Sequence, residues 1–372
     1  MNNNANPKVA GEVVLTVTPR ASEPLPGAAD LKRDLPLTTG FSDAVQRHRQ
    51  SIEAILRGDD DRLLVIVGPC SIHDTQAAID YARRLKALSE KVSDTMLLVM
   101  RCYFEKPRTT VGWKGLMHDP ELNGGSNIAA GIRQARSLLL ELATFDLPVA
   151  TEALSPLAAN YIDDLLSWVA IGARTTESQT HREMASGLAM PVGFKNGTDG
   201  SIDIAIHAMQ SASHPHSFLG CDETGRIAVI HSAGNANPHL VLRGGKANGK
   251  SLTNYDLVSI KNASTALAKN GFDPAIVVDC SHENSGKNHE RQPEVFREVV
   301  AYHAAGERAV KGVMLESFLE GGREEIGCEL PTYGKSVTDA CIDWASTQAL
   351  VMQGHELLKS ERVDNRVSTA TA

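Results

Sequence analysis

Leu63-Leu-Val-Ile-Val-Gly-Pro-Cys-Ser-Ile-His73 is the stretch that decides between the two folds this chain could adopt. Residues 63–68 form a short apolar run, which is typical of a parallel strand buried on both faces. An open, doubly wound sheet would place a GxGxxG turn after this strand, and the segment that follows Gly68 lacks that spacing. The stretch therefore disfavours the open sheet and makes a closed barrel the better prediction.

The same unit recurs along the chain: an apolar run, a polar or glycine-containing turn, and then a helical pattern. Eight such runs are present, at residues 63–68, 96–103, 148–153, 169–173, 191–195, 240–243, 276–280 and 312–315. Eight strands that alternate with helices predict an α/β fold, the parallel (β/α)8 TIM barrel. One further run, at 227–231, breaks the repeat, and we expect it to pair with the sixth run as a small inserted β-hairpin.

The first 40 residues differ in composition from the rest of the chain. They contain many Asn, Ala and Pro residues, and the prolines at positions 7, 19, 24, 26 and 36 would interrupt a long helix. We therefore predict an N-terminal arm over residues 1–40, with a role in subunit contact or regulation, and a barrel domain over residues 41–372. A helix capped by Ser42 should open the barrel domain, because apolar residues follow at positions 45, 52, 55 and 56.

Composition and charge exclude several classes of protein. The 372 residues are 42% apolar, and the formal net charge of -8 argues against nucleic acid as a partner. Six cysteines without a CxxC pair suit a reducing compartment, so we expect the protein to be cytoplasmic. The sequence contains neither the ~18 consecutive apolar residues of a membrane span nor a signal-peptide pattern, so no membrane partner is expected.

Basic side chains end or follow several of the predicted strands: Arg101, Lys106, Arg108, Arg174, Lys195 and Arg243. The carboxyl ends of all barrel strands meet at one rim, so these cations should share one cleft. Buried cations without partners are costly, which indicates that this group awaits anions. Each charge-assisted hydrogen bond contributes roughly 1.5–3 kcal/mol, and the set could hold two phosphates and a carboxylate. The alternative is that each is an ordinary surface salt-bridge partner.

Four residues from distant segments offer metal-binding atoms: Cys70, His282, Glu316 and Asp339. One thiolate, one imidazole and two carboxylates suit Mn, Fe, Co or Zn better than Ca or Mg, which prefer oxygen donors alone. No short spacing such as HExxH strengthens this prediction. The alternative is core packing for Cys70 and a structural hydrogen bond for His282. Glu152, at the end of the third run, would lie at the same rim.

Several stretches together resemble the class I (type I alpha) 3-deoxy-D-arabino-heptulosonate 7-phosphate (DAHP) synthases. They are Gly68-Pro-Cys-Ser-Ile-His-Asp74, Arg101-Cys-Tyr-Phe-Glu-Lys-Pro-Arg-Thr-Thr-Val-Gly-Trp-Lys-Gly115, Ile171-Gly-Ala-Arg-Thr-Thr-Glu-Ser-Gln179, Pro191-Val-Gly-Phe-Lys-Asn-Gly-Thr-Asp-Gly200, Leu242-Arg-Gly-Gly245, Asp279-Cys-Ser-His-Glu-Asn284 and Tyr333-Gly-Lys-Ser-Val-Thr-Asp-Ala-Cys341. The resemblance runs from about Asp43 to about Glu356. Motifs of this length and order are far more specific than a single glycine fingerprint.

The resemblance implies a catalytic barrel that condenses phosphoenolpyruvate with erythrose 4-phosphate and releases phosphate, the first step of the shikimate pathway to chorismate and aromatic amino acids. It assigns one divalent metal ion per subunit to Cys70, His282, Glu316 and Asp339. It assigns phosphoenolpyruvate to Arg101, Lys106, Arg174, Lys195 and Arg243, and erythrose 4-phosphate to Arg108 and Thr109. Lys106 and Glu152 are then candidates for proton transfer, while Cys70 and His282 are catalytic through the metal.

The same resemblance implies feedback inhibition by an aromatic amino acid. Thr151-Glu-Ala-Leu-Ser-Pro156 and Thr180-His-Arg-Glu-Met-Ala-Ser-Gly187 favour the tyrosine-sensitive branch, and we expect a homodimer or a homotetramer. Two alternatives stay open: a related synthase that uses arabinose 5-phosphate, and a non-catalytic barrel that senses amino acids. Lys106-Pro-Arg-Thr-Thr110 favours the shorter sugar, because arabinose-using relatives resemble a Lys-Ala-Asn-Arg pattern there.

Overall fold

Twelve strands are found in the computed structural model, which describes residues 22–108, 110–327 and 331–370, with side chains to residue 361. They are β1 (Leu63–Gly68), β2 (Met96–Arg101), β3 (Val149–Glu152), β4 (Trp168–Ile171), β5 (Val192–Lys195), β6 (Ser217–Cys221), β7 (Ile227–His231), β8 (Pro238–Leu242), β9 (Gly245–Ala247), β10 (Lys250–Leu252), β11 (Ile276–Asp279) and β12 (Val310–Glu316). Eight of them close into a parallel barrel in the order β1, β12, β11, β8, β5, β4, β3, β2. All eight predicted runs are barrel strands, so the predicted fold is confirmed.

Side chains alternate between the inside and the outside of the barrel, as the two-residue period of a strand requires. In β1, Leu64 and Ile66 belong to the interior cluster, while Leu63, Val65 and Val67 belong to the larger cluster under the helices. All five side chains are fully buried. Burial of each such aliphatic side chain stabilises the fold by roughly 1.5–3 kcal/mol, which explains why these strands are continuous apolar runs.

Ten α-helices accompany the strands in the part of the chain that the structure describes. They are α1 (Ala28–Asp34), α2 (Thr39–Arg57), α3 (Thr75–Val92), α4 (Ile128–Ala143), α5 (Pro156–Ala159), α6 (Gln179–Gly187), α7 (Asp203–Ala212), α8 (Leu257–Lys269), α9 (Gln292–Ala304) and α10 (Trp344–Ala370). Most of them form the outer layer: α3 packs on β2, α7 on β5 and β8, and α9 on β12. Within the described ranges, none of the helices is both long and apolar enough to cross a bilayer.

Helix α2 closes the amino-terminal end of the barrel. Its buried residues Ile52, Ile55 and Leu56 belong to the interior cluster of the barrel. The predicted cap at Ser42 is wrong, because the helix begins at Thr39, after Thr38, whose backbone is extended at φ -74° and ψ 157°. The Ser42 amide already donates to the Thr38 carbonyl at 2.9 Å, so Ser42 lies within the first turn.

The inserted β-hairpin is present, but its predicted partner is wrong. The run at Ile227–His231 pairs antiparallel with β6 (Ser217–Cys221) rather than with β8. Strand β8 has both edges occupied, because it pairs in parallel with β5 and with β11 inside the barrel. A second small hairpin, formed by β9 and β10, follows β8 and was not predicted.

The described part of the predicted arm, residues 22–40, packs on the barrel of its own chain. Helix α1 buries Ala28 and Leu31, and Lys32 forms an ion pair of 2.7 Å with Asp163. The Ala29 amide donates to the carbonyl of Glu223 at the hairpin turn, at 2.7 Å. Residues 1–21 of the predicted arm lie outside the described residues, and the subunit-contact role stays a prediction.

Candidate active site

A cavity of about 360 Å³ opens at the carboxyl ends of the barrel strands. Nine residues singled out in the sequence line it: Lys106, Arg108, Glu152, Arg174, Lys195, Arg243, His282, Glu316 and Asp339. Cys70 and Arg101 lie just behind this wall and contact its members. Thr109 lies outside the described residues. The rim therefore brings together nearly all of the predicted site.

The barrel itself explains this convergence. Arg101, Glu152, Lys195 and Glu316 are the last residues of β2, β3, β5 and β12, so parallel strands deliver them to the same end. The turn after the neighbouring strand β4 leaves room for the Glu152 carboxylate. A Cβ atom at Gly172 would lie 2.3 Å from Glu152 Oε1, so only glycine permits this carboxylate position.

Three of the four predicted metal ligands form a compact group. One ligand atom each from Cys70, Glu316 and Asp339 lie within 4.8 Å of one another. Cys70 Sγ is 3.5 Å from Asp339 Oδ2. Burial, followed by the charge of Glu316, raises the pKa of the Cys70 thiol to about 11. A thiol and two carboxylates gathered in this way fit a transition-metal ion or zinc, because soft and hard donors are mixed.

The fourth predicted ligand, His282, lies in the wall of the same cavity but not within that group. Its Nδ1 is 2.9 Å from Asp279 Oδ2 and 2.8 Å from Ser281 Oγ. The backbone of His282 is left-handed, at φ 52°, a conformation that non-glycine residues adopt at a cost. Such local strain is found mainly at functional sites, and here it turns the chain directly after β11.

Arg101 and Lys106 face the metal-donor group from the barrel side. Arg101 is 1% exposed and forms an ion pair of 3.0 Å with Glu316. The carbon of its guanidinium group lies 3.5 Å from the centre of the Tyr103 ring, a cation–π contact. Lys106 Nζ lies 3.1 Å from Cys70 Sγ. An ammonium and a guanidinium group therefore balance the charge of the donors.

A second buried ion pair lies at the carboxyl ends of β5 and β11. Lys195 Nζ is 2.9 Å from Asp279 Oδ2, and the two side chains are 3% and 1% exposed. The expectation that these cations await anions took them to be unpaired, whereas Lys195 and Arg101 each have a carboxylate partner in the protein. The physical reason is that a buried charge without a counter-charge is too costly, so strand-end carboxylates pair with both.

Arg243 and Arg174 lie beside this pair. Arg243 is 7% exposed, and burial lowers the pKa of its guanidinium group, although Asp279 and Glu283 oppose the shift. Arg174 is exposed at the mouth of the cavity. These two cations line the cavity from the turns after β4 and β8, where an anionic ligand can reach them.

Sequence reasoning missed two buried residues that shape the site. Asp279 is the shared partner of Lys195 and His282. The side chain of Gln292 holds the backbone of Glu316: its Nε2 donates to the Glu316 carbonyl at 3.1 Å, and its Oε1 accepts from the Glu316 amide at 2.8 Å. The sequence could have indicated Asp279, because a charged residue ends an otherwise apolar strand. Nothing in the sequence indicated Gln292, since it begins a helix in a polar stretch.

Comparison with known proteins agrees with the sequence motifs. Residues 42–352 match the DAHP synthetase I family. The chain is 50% identical to "Phospho-2-dehydro-3-deoxyheptonate aldolase, Tyr-sensitive" of Escherichia coli (strain K12), over 89% of this chain and 92% of the relative. The Phe-sensitive protein of the same organism is 47% identical over 91% and 96% of the two chains. A solved structure of phospho-2-dehydro-3-deoxyheptonate aldolase from Francisella tularensis SCHU S4 has a TM-score of 0.89 at 40% identity, covering 92% of this chain and 99% of that one.

Proposed function

The chain belongs to the DAHP synthetase I family, and we propose that it condenses phosphoenolpyruvate with erythrose 4-phosphate and water to give DAHP and phosphate. The observation that carries this proposal is a single cavity that joins a metal-donor group to a set of cations. Phosphoenolpyruvate needs positive groups for its phosphate and its carboxylate, and the aldehyde needs an electrophilic catalyst.

Cys70, Glu316 and Asp339 would hold one Mn, Fe, Co or Zn ion, with His282 as the fourth ligand from the cavity wall. Support comes from the distances among the first three ligand atoms and from the mixture of donor types. When bound, such an ion supplies Lewis-acid polarisation of the aldehyde carbonyl. Arg101 and Lys106 keep the donors in place, since they contact Glu316 and Cys70 respectively.

Lys195, Arg243 and Arg174 would bind phosphoenolpyruvate, and Arg101 and Lys106 complete that set. The C3 carbon of phosphoenolpyruvate forms a bond to the aldehyde carbon, and the ammonium group of Lys106 gives a proton to the aldehyde oxygen. Water then adds at C2 and loses a proton to Glu152, which leaves a C2 hydroxyl group beside the C2–O bond to phosphate. As that C2–O bond breaks, the hydroxyl oxygen forms the C=O bond of the product ketone, and the hydroxyl proton leaves with the phosphate. The proton on Glu152 returns to Lys106 and restores both groups. Every one of these side chains lines the cavity or lies directly behind it.

Erythrose 4-phosphate would bind at the cavity mouth through Arg108 and Thr109. Arg108 is exposed, and its Nε donates to the Trp113 carbonyl at 2.7 Å. That bond fixes the guanidinium group near the mouth, and among the described residues no bond to its other nitrogens is found, so a phosphate can reach them.

The deciding experiment measures phosphate release from phosphoenolpyruvate with either erythrose 4-phosphate or arabinose 5-phosphate as acceptor. The purified chain is assayed before and after chelation, and again after Mn²⁺ is restored. We expect release only with erythrose 4-phosphate, lost on chelation and regained with Mn²⁺. Release with arabinose 5-phosphate would favour the related synthase, and release with neither sugar would favour a non-catalytic sensing barrel.

Tyrosine is the proposed feedback inhibitor. Relatives named Tyr-sensitive are 50% identical to this chain, and a relative named Phe-sensitive is 47% identical, so the family includes both specificities. The motifs near residues 151–156 and 180–187 favour tyrosine. Inhibition curves with tyrosine, phenylalanine and tryptophan should place tyrosine at the lowest half-inhibiting concentration; a lower value for phenylalanine would contradict the assignment.

A homodimer or homotetramer is proposed for the assembly. The inserted hairpin supports it, because Leu219, Ile227 and Val229 are 77%, 78% and 62% exposed. Apolar side chains this exposed on one small hairpin are typical of a protein contact surface. Light scattering behind a sizing column gives the mass of the full chain in solution, and a monomer at micromolar concentration would contradict the proposal.

A further inference from the structure

We infer that Asp279 is a positioning residue that orients the His282 imidazole and the Lys195 ammonium group with a single carboxylate, and so joins metal binding to phosphoenolpyruvate binding. The inference rests on the proposed function, because it takes His282 as a metal ligand and Lys195 as a phosphoenolpyruvate ligand. Asp279 does not line the cavity. In this inference it therefore acts through His282 and Lys195, and not by contact with the metal ion or with phosphoenolpyruvate.

The geometry around Asp279 uses both carboxylate oxygens fully. Oδ2 lies 2.9 Å from Lys195 Nζ and 2.9 Å from His282 Nδ1. Oδ1 accepts from the Ser281 amide at 3.0 Å and from the Ser281 hydroxyl at 2.6 Å. A carboxylate offers about four acceptor positions, so these contacts occupy all of them. The group is 1% exposed and has no further position for water.

This arrangement selects one tautomer of His282. The carboxylate accepts hydrogen bonds and does not donate them, so Nδ1 of His282 must carry the proton. The Nε2 atom then keeps its lone pair, which is the form of imidazole that binds a metal. Carboxylates that bond to the second nitrogen of a metal-binding histidine fix both its tautomer and its ring orientation.

The same carboxylate also directs Lys195. Lys195 is 2% exposed and ends β5, while Asp279 ends β11, so the ion pair bridges two strands that are separated by β8 in the barrel. A buried charge without a counter-charge is strongly destabilising. Asp279 therefore fixes the Lys195 ammonium group at the position where an anionic substrate needs it.

Asp279→Asn tests the inference because the Ser281 amide forces the orientation of the new side chain. That amide can only donate, so the amide oxygen of Asn must take the Oδ1 position and its NH2 group the Oδ2 position. The NH2 group then faces the Lys195 ammonium group, donor against donor. It also donates to His282 Nδ1, which moves the imidazole proton to Nε2 and weakens metal binding through that nitrogen.

Calorimetry on the full chain measures two binding affinities. One is the affinity of the metal-free protein for Mn²⁺, and the other is the affinity of the protein for phosphoenolpyruvate in a buffer that contains a metal chelator. For Asp279→Asn we expect Mn²⁺ affinity to fall about 10- to 100-fold and phosphoenolpyruvate affinity to fall at least about tenfold. Asp164→Asn is the matched control. Asp164 pairs with the fully buried Arg136 outside the cavity, so it perturbs a similar ion pair and should leave both affinities within about twofold.

A second measurement does not depend on how well the variant folds. NMR of histidine-labelled wild-type protein in chelator, assigned with His282→Gln, reports the tautomer of His282 from its ring carbon shifts. We expect the Nδ1–H form, and a wild-type His282 in the Nε2–H form would overturn the inference. So would an Asp279→Asn protein that binds both ligands normally, or that loses only one of the two affinities. A wild-type chain that binds neither ligand would overturn the proposed function itself, which is a different outcome.

Discussion

The two ends of the barrel are built from the same strands but have opposite chemistry. At the amino-terminal end, Ile52 of α2 belongs to a buried hydrophobic cluster with interior residues such as Leu64 and Val277. At the carboxyl end, the interior holds two buried ion pairs, Arg101–Glu316 and Lys195–Asp279. The change takes place within single strands, since β12 begins at Val310 and ends at Glu316.

This difference shows how the fold separates stability from chemistry. Apolar burial at the amino-terminal end stabilises the molecule, whereas buried ion pairs contribute little net stability because desolvation opposes their attraction. The left-handed backbone of His282 adds local strain at the carboxyl end. Substitutions at the first end should therefore lower stability and spare activity. Substitutions at the second end should lower activity, and they should lower stability only where they leave a buried charge without its partner.

Lys106→Met should have the largest effect and should leave stability nearly unchanged. Methionine keeps the length of the side chain but removes the ammonium group that lies 3.1 Å from Cys70 Sγ and is proposed to donate a proton. We expect kcat to fall about a thousandfold or more, with Mn²⁺ affinity changed by less than about tenfold. Lys114→Met, an exposed lysine of the same loop, is the control. A Lys106→Met enzyme with near-normal turnover would reject the catalytic role.

Ile52→Ala tests the opposite end. Ile52 is fully buried where α2 closes the barrel, so its truncation leaves a cavity that rigid neighbours cannot fill. We expect the free energy of unfolding to fall by about 3 kcal/mol and kcat to stay within about twofold. Urea unfolding and steady-state assays measure the two quantities. Gln50→Ala, on the exposed face of the same helix, should change neither, and a large loss of kcat in Ile52→Ala would break the separation between the two ends.

The sequence was sufficient for the barrel because a parallel strand buried on both faces must be a continuous apolar run. It was not sufficient for the hairpin. Strand β6, Ser217-Phe-Leu-Gly-Cys221, has no such run, and its partner β7 alternates between exposed and half-buried residues. Nothing in the residues of β7 distinguished an outside partner from β8, whose edges the barrel already occupies.

The candidate site could be predicted as a set of residues but not as a set of contacts. Strand ends indicated which side chains meet at the rim, since the barrel brings those ends together. They could not show that Arg101 pairs with Glu316 rather than with a substrate. Such pairings depend on side-chain directions across strands that are distant in sequence, and these directions follow only from the closed barrel.

His239 gives the amino-terminal end a dependence on pH. It is 1% exposed, accepts a hydrogen bond from Trp168 Nε1 at 3.0 Å, and bonds to the Asn237 carbonyl through Nδ1. Burial lowers the pKa of His239 to about 4, against 6.5 for an ordinary histidine. Between these values the unfolded chain binds one more proton than the folded chain, so stability is fully present above about pH 6.5 and falls as the pH falls toward 4.

His239→Gln should remove this contribution, since glutamine can make both hydrogen bonds but does not titrate. From about pH 7.5 to about pH 5, the wild type should lose about 2 kcal/mol more unfolding free energy than the variant. Urea unfolding at the two pH values gives the difference directly. His214→Gln, an exposed histidine, should retain the wild-type dependence, and equal slopes for His239→Gln and wild type would contradict the assignment.

A network of three asparagines holds the turn that carries Arg243 at the carboxyl end. Asn196 Oδ1 accepts from the Arg243 amide at 2.8 Å, and its Nδ2 donates to the Gly244 carbonyl at 2.9 Å. Asn254 Oδ1 accepts from the Gly244 amide at 2.7 Å, and the Asn254 amide donates to Asn284 Oδ1 at 2.9 Å. Gly244 is left-handed, at φ 72°, so the turn depends on these bonds for a single conformation.

Asn254→Ala should have the smallest effect and the most specific one. It removes the side-chain bond to Gly244 from a partly exposed position, so the fold should persist while the Arg243 turn loosens. We expect KM for phosphoenolpyruvate to rise about tenfold, because a displaced cation loses much of one charge-assisted bond, and kcat to change less than about threefold. Asn270→Ala, at the far end of α8, is the control. An unchanged KM would show that the barrel alone positions Arg243, and a fall in kcat without a change in KM would place the turn in the chemical step instead.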